Sequence, residues 1–175
     1  MAEFQIVYYP DDPLTQKAHS VESFDAALGK LVEDMLETMH AYKGVGLAAP
    51  QIGKSKRLFV LQEPDGPEIC LVNPEIVSME GKELGEEGCL SMPEVYAQVP
   101  RATEIAVKAQ DVSGSDMEFE AVDFLARIIQ HETDHLNGIL FPQRLDIITR
   151  QEKLEEWNAV RERMLADHEG ATDAS

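Results

Sequence analysis

Apolar residues recur at helical spacing across residues 23–42, where Phe24, Leu28, Leu31, Met35 and Met39 fall three or four apart. That period predicts an amphipathic helix with Ser23 as its N-cap. A second helical period covers residues 123–137 through Phe124, Leu125, Ile128 and Ile129, and Gly138 follows as a natural stop. A third opens on the capping-box pattern Thr149-Arg150-Gln151-Glu152 and continues through Leu154, Trp157, Val160, Met164 and Leu165. Residues 168–175 are expected to form a disordered C-terminal tail.

Between the first two helices the pattern shortens to strand-like runs at residues 57–62, 69–73, 76–79, 95–99, 103–110 and 117–122. Turn signals separate them, among them Pro64-Asp65-Gly66-Pro67 and Ser113-Gly114. In the run 103–110, Ile105 and Val107 share one face while Glu104, Ala106 and Lys108 share the other, as in an antiparallel strand with one buried side. The expected fold is α+β: one domain over residues 1–167, with antiparallel strands packed around the central helix 123–137, flanked by N-terminal and C-terminal helices.

Composition narrows the function. The 175 residues hold 33 acidic against 15 basic side chains, a formal charge of −18. Stable binding to nucleic acid needs a basic footprint and is not expected. Transient contact with the ribosome is compatible with this charge. No apolar run is long enough for a bilayer, and no N-terminal stretch has the form of a secretory signal. With only Cys70 and Cys89 present, a reducing, cytoplasmic location without disulfides is expected.

The chemistry concentrates in His131-Glu132-Thr133-Asp134-His135, within the second helix. Residues four apart share a helical face, so the two imidazoles converge on one point that suits a metal ion, with Glu132 beside them as a proton shuttle. Two histidines need a third ligand, and three completions exist. A further histidine six residues on is excluded, because Phe141 stands there. Glu152, Glu155 and Glu156 lie downstream but read as a solvated helix face. Upstream, Cys89 in Glu86-Glu87-Gly88-Cys89-Leu90-Ser91 offers a thiolate for zinc or ferrous iron, although a lone cysteine is more often a small core residue. Cys70 fits that core role, inside the apolar run 69–72.

Three segments together, Gly44-Val45-Gly46-Leu47-Ala48-Ala49-Pro50-Gln51, Glu87-Gly88-Cys89-Leu90-Ser91 and Gln130-His131-Glu132-Thr133-Asp134-His135-Leu136, resemble in content and order the signature motifs of the peptide deformylases. The resemblance extends from about Val7 through the third helix. It implies hydrolysis of the formyl group from the formyl-methionine of nascent peptides, releasing formate. It further implies that Cys89, His131 and His135 hold one divalent ion, ferrous iron first, with zinc, nickel or cobalt as alternatives. Glu132 is then the general base and acid, while the Gln51 amide and the Leu90 backbone N–H stabilise the oxyanion. Gly44, Val45 and Gly46 pair with the substrate main chain; Val45, Phe124 and Ile128 form an apolar pocket for methionine, with Glu87 and Arg127 near it. The glycine loop lacks the Lys-Ser or Lys-Thr of a phosphate cradle. The rival readings are a zinc endopeptidase and an inactive metal-stabilised or peptide-binding module. The third helix mixes Arg150, Lys153, Arg161 and Arg163 with Glu152, Glu155, Glu156, Glu162 and Asp167, so stable docking to ribosomal RNA is not expected.

Overall fold

The first helix, α1 (Ala26–Ala41), buries Leu28, Met35 and Met39 of the expected stripe together with Val32, whereas Leu31 is half-buried and Phe24 precedes the helix. Its cap differs from the prediction. Asp25, not Ser23, accepts the Leu28 N–H at 3.0 Å, because its carboxylate sits three residues before that otherwise unpaired amide. In this computed structural model the backbone is described for residues 3–173 and side chains through residue 167. The tail expected over residues 168–175 falls outside the residues described in full.

Seven strands follow: β1 (Gly46–Ala48), β2 (Leu58–Gln62), β3 (Glu68–Glu80), β4 (Glu83–Cys89), β5 (Met92–Arg101), β6 (Glu104–Gln110) and β7 (Asp116–Val122). Five of them form an antiparallel sheet in the order β1-β2-β3-β6-β7, and β4 and β5 form a separate hairpin. Two expected strands, 69–73 and 76–79, are one strand interrupted at its middle. Asn73 there takes a φ of 49°, and its side-chain amide exchanges hydrogen bonds with the Val21 backbone at 2.8 and 2.9 Å. The register with β6 shifts at this point, a bulge that lets β3 continue past Pro74. The glycine-rich loop contains the edge strand β1, and the acidic stretch before Cys89 is β4; neither has the apolar alternation that marks a strand in sequence.

The second helix, α2 (Asp123–Leu136), lies with Ala126, Ile128, Ile129 and Leu136 against Phe59, Leu61, Leu71, Ile105 and Val107 of the large sheet. Each of the isoleucine, leucine, valine and phenylalanine side chains here, fully buried, contributes about 1.5–3 kcal/mol. Gln130 fixes the helix laterally, donating to the Ala102 carbonyl at 2.9 Å and accepting the Ala102 N–H at 3.0 Å. The helix stops at Gly138, whose φ of +75° and whose approach to the Thr15 backbone leave no room for a Cβ (2.7 Å).

The third helix, α3 (Ile147–Asp173), starts two residues before Thr149. Asp146 accepts both the N–H and the hydroxyl of Thr149, at 2.9 and 2.8 Å, and so occupies the capping role expected of Thr149. Trp157 anchors α3: it is 1% exposed, packs among Leu14, Val95, Val99 and Phe141, and donates to the Tyr9 carbonyl at 2.8 Å. Among the described residues no helix is long and apolar enough to cross a membrane. The result is the expected α+β domain, with α2 held between the sheet and the β4–β5 hairpin.

Candidate metal centre and active site

His131 and His135 lie one turn apart on α2, ring centroids 5.0 Å apart and nearly perpendicular. Cys89, at the end of β4, brings its sulfur to 3.4 Å from His135 Nε2. One ligand atom from each of the three residues falls within 4.8 Å of the others. The sulfur accepts the Ser91 N–H at 3.4 Å and the Gln51 Nε2–H at 3.5 Å, so it is oriented as an acceptor, as a metal ligand must be. Cys70 lies apart; burial pushes its thiol up to about 12, with Asp111 adding to the effect, which leaves it inert.

Hydrogen bonds behind the candidate ligands fix their orientation. His131 Nδ1 lies 2.8 Å from Glu87 Oε1, which turns Nε2 toward Cys89. Glu87 also takes two parallel bonds from Arg101, both 2.9 Å, and one from Arg127 at 2.7 Å. Arg101 continues to Asp134 at 2.6 Å, and Asp134 receives Arg144 at 2.6 and 3.0 Å. Burial alone would raise the Glu87 carboxyl, but hydrogen bonds from His131 and Arg101 outweigh it and hold it at about 2. Burial likewise opposes charge on His131, yet its bonds to Cys89 and Glu87 raise it well above the usual imidazole range. Burial and the neighbouring His131 lower His135. Phe141, which occupies the place of a third histidine in sequence, stacks on the His131 ring at 6.4 Å.

Glu132 lies beside the cluster, its Oε2 3.9 Å from His131 Nε2. Burial raises its carboxyl to about 7, partly opposed by His131. Its Oε2 lies against Gly46, where a Cβ would come within 2.7 Å. The glycine is therefore a close-approach position. Gln51 sits in the turn after β1. Its Oε1 accepts the Ala48 N–H at 2.9 Å, and its Nε2 donates to Ser91 Oγ at 3.2 Å. The amide orientation follows, with its N–H groups aimed into the site.

These groups line a cavity of about 480 Å³ between β1 and β4. Gly44, Val45, Gly46, Gln51, Glu87, Cys89, Leu90, Phe124, Ile128, His131 and Glu132 all border it. His135 does not; it is fully buried behind the other ligands. Val45 and Phe124 are about two-fifths exposed, so they form the rim, whereas Ile128 is buried and forms the floor. Sequence reasoning missed Arg101, Asp134 and Arg144. Asp134 stood within the histidine motif as an unexplained acid, but a buried arginine at a strand end has no local signature.

The cluster fits a divalent cation. It offers one sulfur and two imidazole nitrogens converging from two elements, and beside them Glu132 Oε1 and His135 Nδ1 are buried without a partner among the described residues.

The polypeptide deformylase family model matches residues 3–151. A peptide deformylase of Chromobacterium violaceum is 47% identical over 154 residues, covering 86% of this chain and 92% of that protein. The crystal structure of a peptide deformylase from Legionella pneumophila has a TM-score of 0.88 at 43% identity, covering 94% of this chain and 98% of that one. The peptide deformylase of Thermus thermophilus gives 0.86 at 48% identity, covering 89% and 93%.

Proposed function

This chain belongs to the polypeptide deformylase family, and from that premise we propose which of its residues carry the reaction. The reaction is hydrolytic removal of the formyl group from the N-terminus of nascent peptides. Cys89, His131 and His135 would hold one divalent ion, ferrous iron in our reading. When bound, the ion supplies Lewis acidity toward the formyl carbonyl and acidifies water.

The remaining chemistry belongs to the protein. Glu132 takes a proton from the attacking water as its oxygen bonds to the formyl carbon. It then delivers that proton to the departing amine nitrogen as the C–N bond breaks, leaving formate and a free N-terminus. The raised proton affinity of Glu132 suits both steps, because a group near neutrality accepts and returns a proton at similar cost. The Gln51 amide, pre-aimed by Ala48, and the Leu90 backbone N–H donate to the developing oxyanion. Losing one such donor typically costs about 3–4 kcal/mol.

The edge of β1 at residues 44–46 would pair with the substrate main chain as an added strand. The methionine side chain enters between Val45, Phe124 and Ile128. Arg127 is turned away from an apolar guest, because it donates to Glu87, to the Val99 carbonyl and to the Glu83 carbonyl. The enzyme acts in the cytoplasm in this reading, and any ribosome contact is brief.

The observation that carries the assignment is the three-ligand cluster with Glu132 beside His131 and Gln51 beside Cys89. The test is anaerobic hydrolysis of formyl-Met-Ala-Ser with metal analysis. Glu132→Ala should keep the metal and lose turnover by at least ~10²-fold, whereas Cys89→Ala should lose both. Full activity in either variant refutes the assignment.

A further inference from the structure

The catalytic cavity meets a second, larger depression at the β4–β5 hairpin. Glu86 and Tyr96 border both. The second is an open groove of about 870 Å³ running between the outer face of the hairpin and the start of α3. Strand alternation explains why this face exists. Gly85 and Glu87 face α2, with Arg127 lying over Gly85 and Glu87 joined to His131. Leu84 and Glu86 therefore face the other way. Leu84 is 63% exposed and Tyr96 56%, so this face offers apolar surface beside the cavity. The Tyr96 ring lies over Gly88, where a Cβ would come within 2.6 Å, so it forms a low saddle between cavity and groove.

The substrate itself must cross that rim. A cavity of about 480 Å³ holds a drug-sized ligand, and so only the first few residues of a formylated chain. Every natural substrate continues beyond them. Among the described residues β4 pairs as a strand with β5 alone, and Arg127 covers the Glu83 carbonyl; residues 86–89 border the cavity and can guide an extended peptide toward Glu86 and Tyr96. Past Tyr96 the groove carries Lys82 and Lys153 at its borders and Leu84 and Leu145 between them. Lys82, Arg144 and Lys153 stand there against Glu86 and Asp146, so the lining is positive by one charge on a protein of charge −18, with Arg144 held by Asp134 and Lys153 lying 3.3 Å from Glu156.

We propose that this groove receives the downstream segment of the formylated chain, from about its fourth residue onward, and favours acidic side chains there. The proposal rests on the deformylase reading. Tyr96 acts as the shared wall over which the peptide passes, and Lys82 and Lys153 act as specificity determinants outside the reacting site.

The test compares formyl-Met-Ala-Ser with two formylated octapeptides that begin with the same three residues, one bearing Asp and the other Lys at positions five and seven. The holoenzyme is used throughout. The Asp octapeptide should have a KM about three- to tenfold below that of the Lys octapeptide, with kcat unchanged, as two solvent-exposed ion pairs would give. The difference should fade in ~0.5 M salt. In Lys82→Glu/Lys153→Glu the order should reverse while tripeptide kinetics stay at the wild-type value. A KM indifferent to charge, or a charge preference that survives the double substitution, overturns the groove and sends the chain out elsewhere. Failure to hydrolyse even the tripeptide overturns the deformylase reading, and the proposal with it.

Discussion

Replacing Arg101 by methionine removes a charge from the centre of the buried network while keeping side-chain length. Its guanidinium is 4% exposed and joins Glu87 on β4 to Asp134 on α2. Breaking a buried ion pair by deleting one partner costs about 3–5 kcal/mol. Here Glu87 keeps Arg127 and His131, and Asp134 keeps Arg144, so the loss should fall at the low end, about 3 kcal/mol. For a chain of this length each kcal/mol lowers Tm by roughly 2–4 °C, giving an expected drop of about 6–12 °C. The pH dependence follows from Glu87. Its carboxyl is depressed from 4.5 to about 2 in the folded protein, so its contribution is complete above pH 4.5 and is lost as pH falls toward 2. The gap between wild type and Arg101→Met should therefore be full above pH 4.5 and narrow as pH falls from 4.5 toward 2. Thermal unfolding followed by circular dichroism across that range measures both. A Tm within 2 °C of wild type at pH 7, or a gap that stays constant as pH falls, would refute the view that Arg101 is held by charge.

Three further substitutions or conditions probe the site and its frame. Gly46→Ala places a methyl against the Glu132 carboxylate, so kcat should fall by ~10²-fold, the typical effect of a 1 Å misplacement, while the bound metal stays at the wild-type level; steady-state kinetics with metal analysis would show it. Burial raises Glu132 to about 7, above its ordinary 4.5, and the base works only as carboxylate. The acid limb of kcat/KM should accordingly fall between pH 4.5 and 7, since a neighbouring cation pulls the carboxyl down from its upper bound; a rate flat down to pH 4.5 contradicts this role. Trp157→Ala should cost about 3–5 kcal/mol in urea unfolding, from the lost packing and the unpaired Tyr9 carbonyl. A loss below 1 kcal/mol would mean that α3 is not docked through this residue.

The sequence by itself determined the helices that have clear apolar periods, the buried face of β6, and the chemistry of the cluster. Side-chain spacing on α2 follows from 3.6 residues per turn, so the convergence of His131 and His135 needed no tertiary knowledge. Phe141 was legible as an excluded ligand, but only the fold made it the ring that stacks on His131. β1 and β4 were not legible: β1 is only Gly46-Leu47-Ala48, too short to show an alternation although Leu47 and Ala48 are buried, and β4 is broken by Gly85 and Gly88 and carries Glu83, Glu86 and Glu87. Helix starts shifted to Asp25 and Asp146 because the carboxylate nearest the first free amides wins, and two candidate caps in one short stretch look alike in sequence. Tertiary structure alone decided the rest. It brought Cys89 across 42 positions to His131, made Arg101 the link between two elements, and placed Tyr96 between cavity and groove. Those relations depend on how the hairpin packs against α2, a long-range contact that no local pattern of residues encodes.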